Sequence, residues 1–379
     1  MFYYLQDGDP EIDGMMRSVC ETGGGGKKVR DISISLRDYP ETADRAAESV
    51  ATAKRPPRSE RHRKTKTFIY RVQYNSFRRR FERDPDSIAV AWNGLTGTRR
   101  AFMAAAKDAG RPRIFMERAP LPGRVTVDPQ GINQLSCLPR QSDFYLDWAN
   151  GHDTRNGKAW MELGKKMTAR ASKRTDVGQA ANAAGLDQQK FIFCPLQVPD
   201  DTQIRQFAGW VGDLDRFIEV LAGASEHLPE GWHLRFKEHP SSKIPLGEVL
   251  SAAAKAHPGR IVIDNQTDTF RQVDASAAVI TLNSSVGLQS FFYDKPVLVL
   301  GEAFFNFEGL VKPVHSPGHL AEFFEVPRLL SYDERLRDAF MNYLDQVYYP
   351  EVTLGSDGKP VVNPENVRKK IEQSRTLVR

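Results

Sequence analysis

Five short apolar runs in the second half of the chain constrain its fold more than any other feature. They are Phe191 to Leu196, His233 to Lys237, Arg260 to Ile263, Ala277 to Leu282 and Pro296 to Leu300. Near-continuous apolar runs of this length suit strands buried on both faces rather than half-exposed strands, which alternate. Between the first two lie Leu214, Phe217, Ile218 and Leu221, at the i, i+3, i+4, i+7 spacing of an amphipathic helix. Strand, helix, strand in that order implies a parallel sheet. The first half carries a similar unit: a strand at Ser87–Trp92, a loop at Asn93–Thr98, a helix at Arg99–Lys107 closed by Gly110, and a strand at Arg113–Glu117. Thr67 to Val72 reads as a further strand.

At 379 residues the chain is long for one core and suggests two domains. The polar stretch from about Asp143 to Gly185 would form the crossing between them. No apolar run approaches the roughly 20 residues that span a bilayer, and Met1 to Asp7 lacks the basic and apolar regions of a secretory signal. Cys20, Cys137 and Cys194 are far apart and odd in number, which fits reduced thiols in a cytoplasmic protein. The net charge of +5 is concentrated between Lys54 and Lys66 and at Arg78–Arg80. Such a basic segment could meet an anionic surface. No zinc-finger spacing or RNA-binding aromatic motif accompanies it, so nucleic acid is not an expected partner. Gly23 to Lys28 lacks the first glycine and the Ser/Thr of a phosphate loop, and Asn93 to Gly97 lacks the full dinucleotide fingerprint.

In parallel α/β sheets ligands bind beyond the carboxyl ends of the strands. That rule selects Gln197 to Gln203, Glu238-His239-Pro240, Asn283-Ser284-Ser285 and Gly301-Glu302. Ser284 is placed to cap a helix running from Val286 to Tyr293, and Gly287 would admit a ligand close to its first turn. Asn283, Ser284 and Ser285 at a helix start form a natural anion seat. His239 suits a phosphate, with Pro240 stiffening the loop behind it. Asp201 could act as nucleophile or general base, or could cap the helix that follows. Lys237 could add a charge beside Gln197, Gln203 and Gly301.

Four stretches resemble one family: Pro195 to Ile204, Lys237 to Pro240, Asn283 to Gln289, and Lys295 to Gly301. A fainter echo runs from Trp92-Asn93-Gly94 through Phe115-Met116-Glu117 to Asp128–Asn133. Together they resemble capsule polysaccharide synthesis proteins of the KpsS/LipB and KpsC type. The resemblance implies an α/β, GT-B-like architecture with two Rossmann-like parallel-sheet domains facing across a cleft. Residues 1–185 would form the acceptor-side domain with the basic segment 54–80, residues 186–345 the nucleotide-sugar domain, and residues 346–379 a tail and helix. It further implies transfer of 3-deoxy-manno-octulosonic acid (Kdo) from CMP-Kdo to a lipid or glycolipid acceptor, with retention. Asp201 would be the catalytic carboxylate. His239, Pro240, Asn283, Ser284, Ser285, Gly287 and Gln289 would hold the donor, and Asn93 and Glu117 would lie on the acceptor side. Gln289 stands where the family places a glutamate, and Ala119 where it places a glycine.

A CMP-sugar has a nucleoside monophosphate as its leaving group, so no metal or other cofactor is expected. The implied setting is the inner face of the bacterial inner membrane, with anionic lipid and capsule assembly or export proteins as neighbours. Two other readings stay open: a GT-B transferase with another nucleotide-sugar donor, and a non-catalytic component that binds polysaccharide or lipid.

Overall fold

The chain opens directly into a sheet. Strands β1 (Phe2–Leu5), β2 (Gly26–Val29), β3 (Ile88–Trp92), β4 (Arg113–Arg118) and β5 (Val125–Asp128) pair in the order β2-β1-β3-β4-β5. All pairings are parallel except the last, β4 with β5. The computed structural model describes residues 1–30, 34–169, 171–181 and 184–378. Neither β1 nor β2 is among the strands expected from the sequence; β2, Gly-Lys-Lys-Val, is an edge strand exposed at three of its four positions and carries no apolar run. Between the helix Pro10–Thr22 and β2, Gly24 and Gly25 both adopt φ +98°, and a Cβ at Gly23 would fall 2.2 Å from the Phe2 ring. The glycine run is therefore a tight helix-to-strand turn, with two left-handed residues that suit glycine alone.

Thr67 to Val72 is not a strand. It lies inside a helix, Glu60–Arg83, which Ser59 caps by accepting the His62 N–H. The β-branched and aromatic residues that suggest a strand are outweighed by flanking Lys and Arg, good helix formers, and by the cap. Val72, Tyr74, Phe77 and Phe81 bury its second half, and Phe77 and Phe81 pack edge-on and tilted against Phe102 of the helix Gly97–Asp108.

Strands β6 (Lys190–Pro195), β7 (Trp232–Lys237), β8 (Ile261–Ile263), β9 (Ala278–Thr281), β10 (Val297–Val299) and β11 (Lys312–Pro313) form the second sheet, in the order β11-β10-β9-β6-β7-β8. Every pairing is parallel. Counted from β6, this is the doubly wound dinucleotide-fold order, and the winding reverses between β6 and β9. The expected amphipathic helix spans Leu214–Ala224. Asp213 caps it, and it buries Leu214, Phe217, Ile218 and Leu221 against a core that includes Ile192, Leu234, Ile280 and Leu298.

The chain divides into Met1–Leu138 with Leu344–Arg379, and Pro139–Tyr343. The polar stretch after Asp143 thus packs within the second unit. Trp160, 1% exposed, donates its indole N–H to Asp338 at 2.8 Å. The tail returns to the first unit. There a hairpin of β12 (Val352–Leu354) and β13 (Pro360–Val362) and the helix Pro364–Thr376 add Val362, Val367 and Ile371 to the core of Phe2, Tyr4, Val90 and Val127. Asp128 fixes this region from the end of β5. Its carboxylate accepts from the N–H groups of Gln130 (2.7 Å), Gly131 (3.0 Å) and Cys137 (2.9 Å), and from the Tyr348 hydroxyl (2.7 Å).

Two stability predictions follow from these contacts. Asp128→Ala strands several buried donors at once and is expected to cost about 3 kcal/mol or more in denaturant unfolding. Asp264 offers a pH test. Burial pushes its carboxyl up, but hydrogen bonds from Thr267, Arg235 and Gln266 outweigh burial and hold it at about 2, below the ordinary 3.8. Its contribution is therefore complete above the unfolded value and is lost as pH falls through about 2. In Asp264→Asn, the fall of melting temperature across that acid window should flatten.

Candidate functional site

Because the second sheet is parallel throughout, the ends of β10, β9, β6 and β7 lie side by side on one edge. The residues beyond them are Gly301, Asn283-Ser284, Gln197 and Glu238-His239. A hydrogen bond crosses the winding reversal: Gln197 Nε2 donates to Asn283 Oδ1 at 2.9 Å. Asn283 Nδ2 in turn donates to the carbonyls of Gln203 (3.1 Å) and Phe207 (2.8 Å). Gln197, Gln203 and Asn283 are thus joined in one network. Asn283 is 8% exposed, so its amide holds this edge together rather than waiting for a ligand.

Ser284 is the helix cap, its hydroxyl accepting the Val286 N–H at 3.2 Å, while its own N–H donates to Thr281 Oγ1 at 3.1 Å. Ser285 is exposed. The α-helix is a single turn, Ser285–Gln289, continued by the 3-10 turn Ser290–Tyr293. A helix this short carries little macrodipole, so what this turn offers an anion is hydroxyl and N–H groups. Gly287 has a different reason from the one expected. A Cβ there would lie 3.0 Å from the Thr281 methyl and 3.3 Å from the Phe305 ring, so the close approach is made by the core. Gly301 is a packing position too: a Cβ would fall 2.9 Å from the Phe207 carbonyl. Gln289 is half-buried at the last position of the helical turn.

His239 is half-buried and Pro240 buried. His239 Nδ1 accepts the Ser241 N–H at 3.1 Å, which assigns the ring proton to Nε2. The loop is braced from below. Glu238, 3% exposed, accepts from Arg174 Nη1 (2.7 Å) and the Leu246 N–H (2.9 Å), and its own N–H donates to Asn265 Oδ1 (2.8 Å). Lys237 is a brace as well and not an added ligand charge. Its ammonium donates to the carbonyls of Gly178, Asn265 and Thr267 at 2.8 to 2.9 Å, which uses all three protons. Burial lowers this lysine to about 8, and Asp264 and Asp268 pull it back up.

The sequence reading missed Asn265 and Arg174. Asn265 lies just beyond β8, so the strand-end rule applied to Arg260–Ile263 finds it. Arg174 belongs to a strap over the sheet end, where Lys173 N–H donates to Pro240 O at 2.9 Å and Gly178 N–H to Asn265 O at 2.8 Å. No local pattern marks that strap.

Asp201 caps the helix Thr202–Phe207, its Oδ1 accepting the Gln203 N–H at 2.8 Å, and is exposed. Any chemistry at this residue therefore falls to Oδ2. In the first unit, Asn93 and Glu117 stand at the ends of adjacent strands, with Asn93 Nδ2 donating to Glu117 Oε2 at 3.1 Å. Asn93 adopts φ 64°, a left-handed conformation that asparagine tolerates better than most residues.

The family model for capsule polysaccharide biosynthesis protein matches residues 149–349. FixF of Sinorhizobium fredii is 32% identical over 263 residues, 69% of this chain and 60% of FixF. The capsule polysaccharide modification protein LipB of Neisseria meningitidis serogroup B is 26% identical, over 64% of this chain and 70% of LipB. The structure of the β-Kdo 2,7 transferase of Thermosulfurimonas dismutans KpsC superposes with a TM-score of 0.52 at 15% identity, covering 98% of this chain and 99% of that one, a likeness of fold. This chain, which spans 60% of the length of FixF, belongs to the capsule polysaccharide biosynthesis family.

Proposed function

We propose that the protein is a glycosyltransferase of capsule polysaccharide assembly, taking Kdo from CMP-Kdo and passing it to a lipid or glycolipid acceptor with retention. The observation that carries this reading is the polar edge at the winding reversal, where Gln197 and Asn283 tie the ends of β6 and β9 between Ser284-Ser285 and His239. Nucleotide-bearing ligands sit at such reversals in doubly wound sheets. The KpsC structure that shares this fold is a Kdo transferase, which favours this sugar over other nucleotide-sugar donors.

The chemistry follows from the groups present. Departure of CMP breaks the bond between the anomeric carbon and the phosphate oxygen, leaving negative charge on one phosphate. The Nε2–H of His239 and the Ser285 hydroxyl are donors of the kind that stabilise such charge. Asp201 Oδ2 is the carboxylate oxygen for attack at the anomeric carbon or for proton removal from the acceptor hydroxyl. Asn93 and Glu117 would serve the acceptor. Because the leaving group is a monophosphate, CMP release is expected to persist in EDTA.

Asp201→Asn separates chemistry from architecture, since asparagine is an equally good helix cap. We expect unchanged thermal stability and a loss of about 10²-fold or more in acceptor-dependent CMP release. Normal turnover by this variant would sink the catalytic assignment. For His239→Gln, weaker stabilisation by CMP in a thermal-shift titration is expected, and an unchanged midpoint would remove His239 from the donor site. CMP-Kdo should also stabilise the wild type more than UDP- or GDP-sugars at equal concentration. Equal shifts would reassign the donor.

A further inference from the structure

The helix Glu60–Arg83 is longer than the core requires, because all its buried residues lie from Val72 onward. Its first three turns and the preceding loop carry Lys54, Arg55, Arg58, Arg61, Arg63, Lys64 and Lys66 against one acid, Glu60. Arg63 answers Glu60 at 2.6 Å, and the Lys66 ammonium reaches the Arg55 carbonyl. Among the described residues no carboxylate lies within ion-pair distance of Lys54, Arg55, Arg58, Arg61 or Lys64.

Apolar side chains stand in the same place. Phe68 is 56% and Ile69 42% exposed. The Ser35 N–H donates to the Val72 carbonyl, which brings Ile34 and Leu36, both more than 70% exposed, alongside this helix. A groove of about 590 Å³ separates the projecting turns from the helix Thr42–Ala51, lined by Val50, Pro57 and Phe68 together with Lys64 and Arg71. Exposed apolar groups set among cations are the composition of a surface that lies in a lipid interface.

We propose that this surface docks the protein onto an anionic bilayer, its cations meeting headgroup phosphates while Ile34, Leu36, Phe68 and Ile69 enter the acyl boundary. Among the described residues no helix is long and apolar enough to cross a membrane. Nucleic acid would meet the charge equally well, but three of the four apolar residues are aliphatic and offer no platform for base stacking. The docked helix also reaches the proposed acceptor loop. A Cβ on Gly97 would meet the Tyr70 hydroxyl at 2.8 Å, and Thr98 Oγ1 donates to Gln73 Oε1 at 3.0 Å. The turn after the projecting segment is thus packed against the start of the helix that follows Asn93.

The test is co-sedimentation of the full chain with vesicles of phosphatidylcholine alone and of equal parts phosphatidylcholine and phosphatidylserine. Wild type should pellet with the mixed vesicles only. Since each surface cation contributes about fivefold, the triple variant Arg58→Glu, Arg61→Glu, Lys64→Glu should bind at least about a hundredfold more weakly. Phe68→Ser with Ile69→Ser should lose the binding that persists at high salt, where charge attraction is screened. All these residues are exposed, and equal melting temperatures would confirm that the variants fold. Equal binding to both vesicles, or unchanged binding by either variant, overturns the proposal. So does tighter binding of a single-stranded oligonucleotide that ignores the Phe68 and Ile69 changes, which would make the surface a polyanion site.

Discussion

The hydrogen bond from Gln197 to Asn283 spans the place where the second sheet reverses its winding. Strands β6 and β9 pair at Ile192–Ala278 and Phe193–Val279, and beyond them their following segments lead away in opposite directions. A pair of side-chain amides joins the two strand ends. Asn283 also reaches two carbonyls of the helix after β6, so one buried residue fixes the loops on both sides of the reversal.

The His239 side of the edge is held by other means. Lys237 and Glu238 are almost fully buried at the end of β7, where isolated charges would be expensive. Each is matched: the ammonium by three carbonyls, the carboxylate by Arg174, Asn265 and a backbone N–H. The strap that carries Arg174 thus turns two charged residues into the frame of a loop that holds a half-buried histidine. Charge near a proposed phosphate site is easily mistaken for charge used on phosphate, and here the three carbonyls around Lys237 separate the two.

Much of this was legible in the sequence. The apolar runs of the second half became strands because their burial on both faces leaves few alternatives, and the strand-end rule then placed Gln197, His239, Asn283 and Gly301 on one edge. Legibility failed where pattern and environment part company. Phe68 to Val72 has strand-like composition but sits in a helix fixed by its cap and its buried second half. β2 lies at the sheet edge with three of its four residues exposed, so no apolar run marks it. Gly287 was recognisable as a close approach, but whether a ligand or the core makes the approach depends on Phe305, 18 positions further along the chain. Arg174 lies 64 positions from Glu238 and carries no local sign of its partner.

The return of residues 344–379 to the first unit has a consequence for synthesis. Chains emerge from the ribosome amino end first, and most domains fold as they appear. Here the first sheet is made early but lacks Tyr348, the partner of Asp128, and Val362, Val367 and Ile371, which complete its core. The second unit, continuous in sequence, holds its whole core before those residues exist. The order of folding is therefore expected to invert the order of translation, with the amino-terminal sheet waiting for the carboxyl-terminal helix to close it.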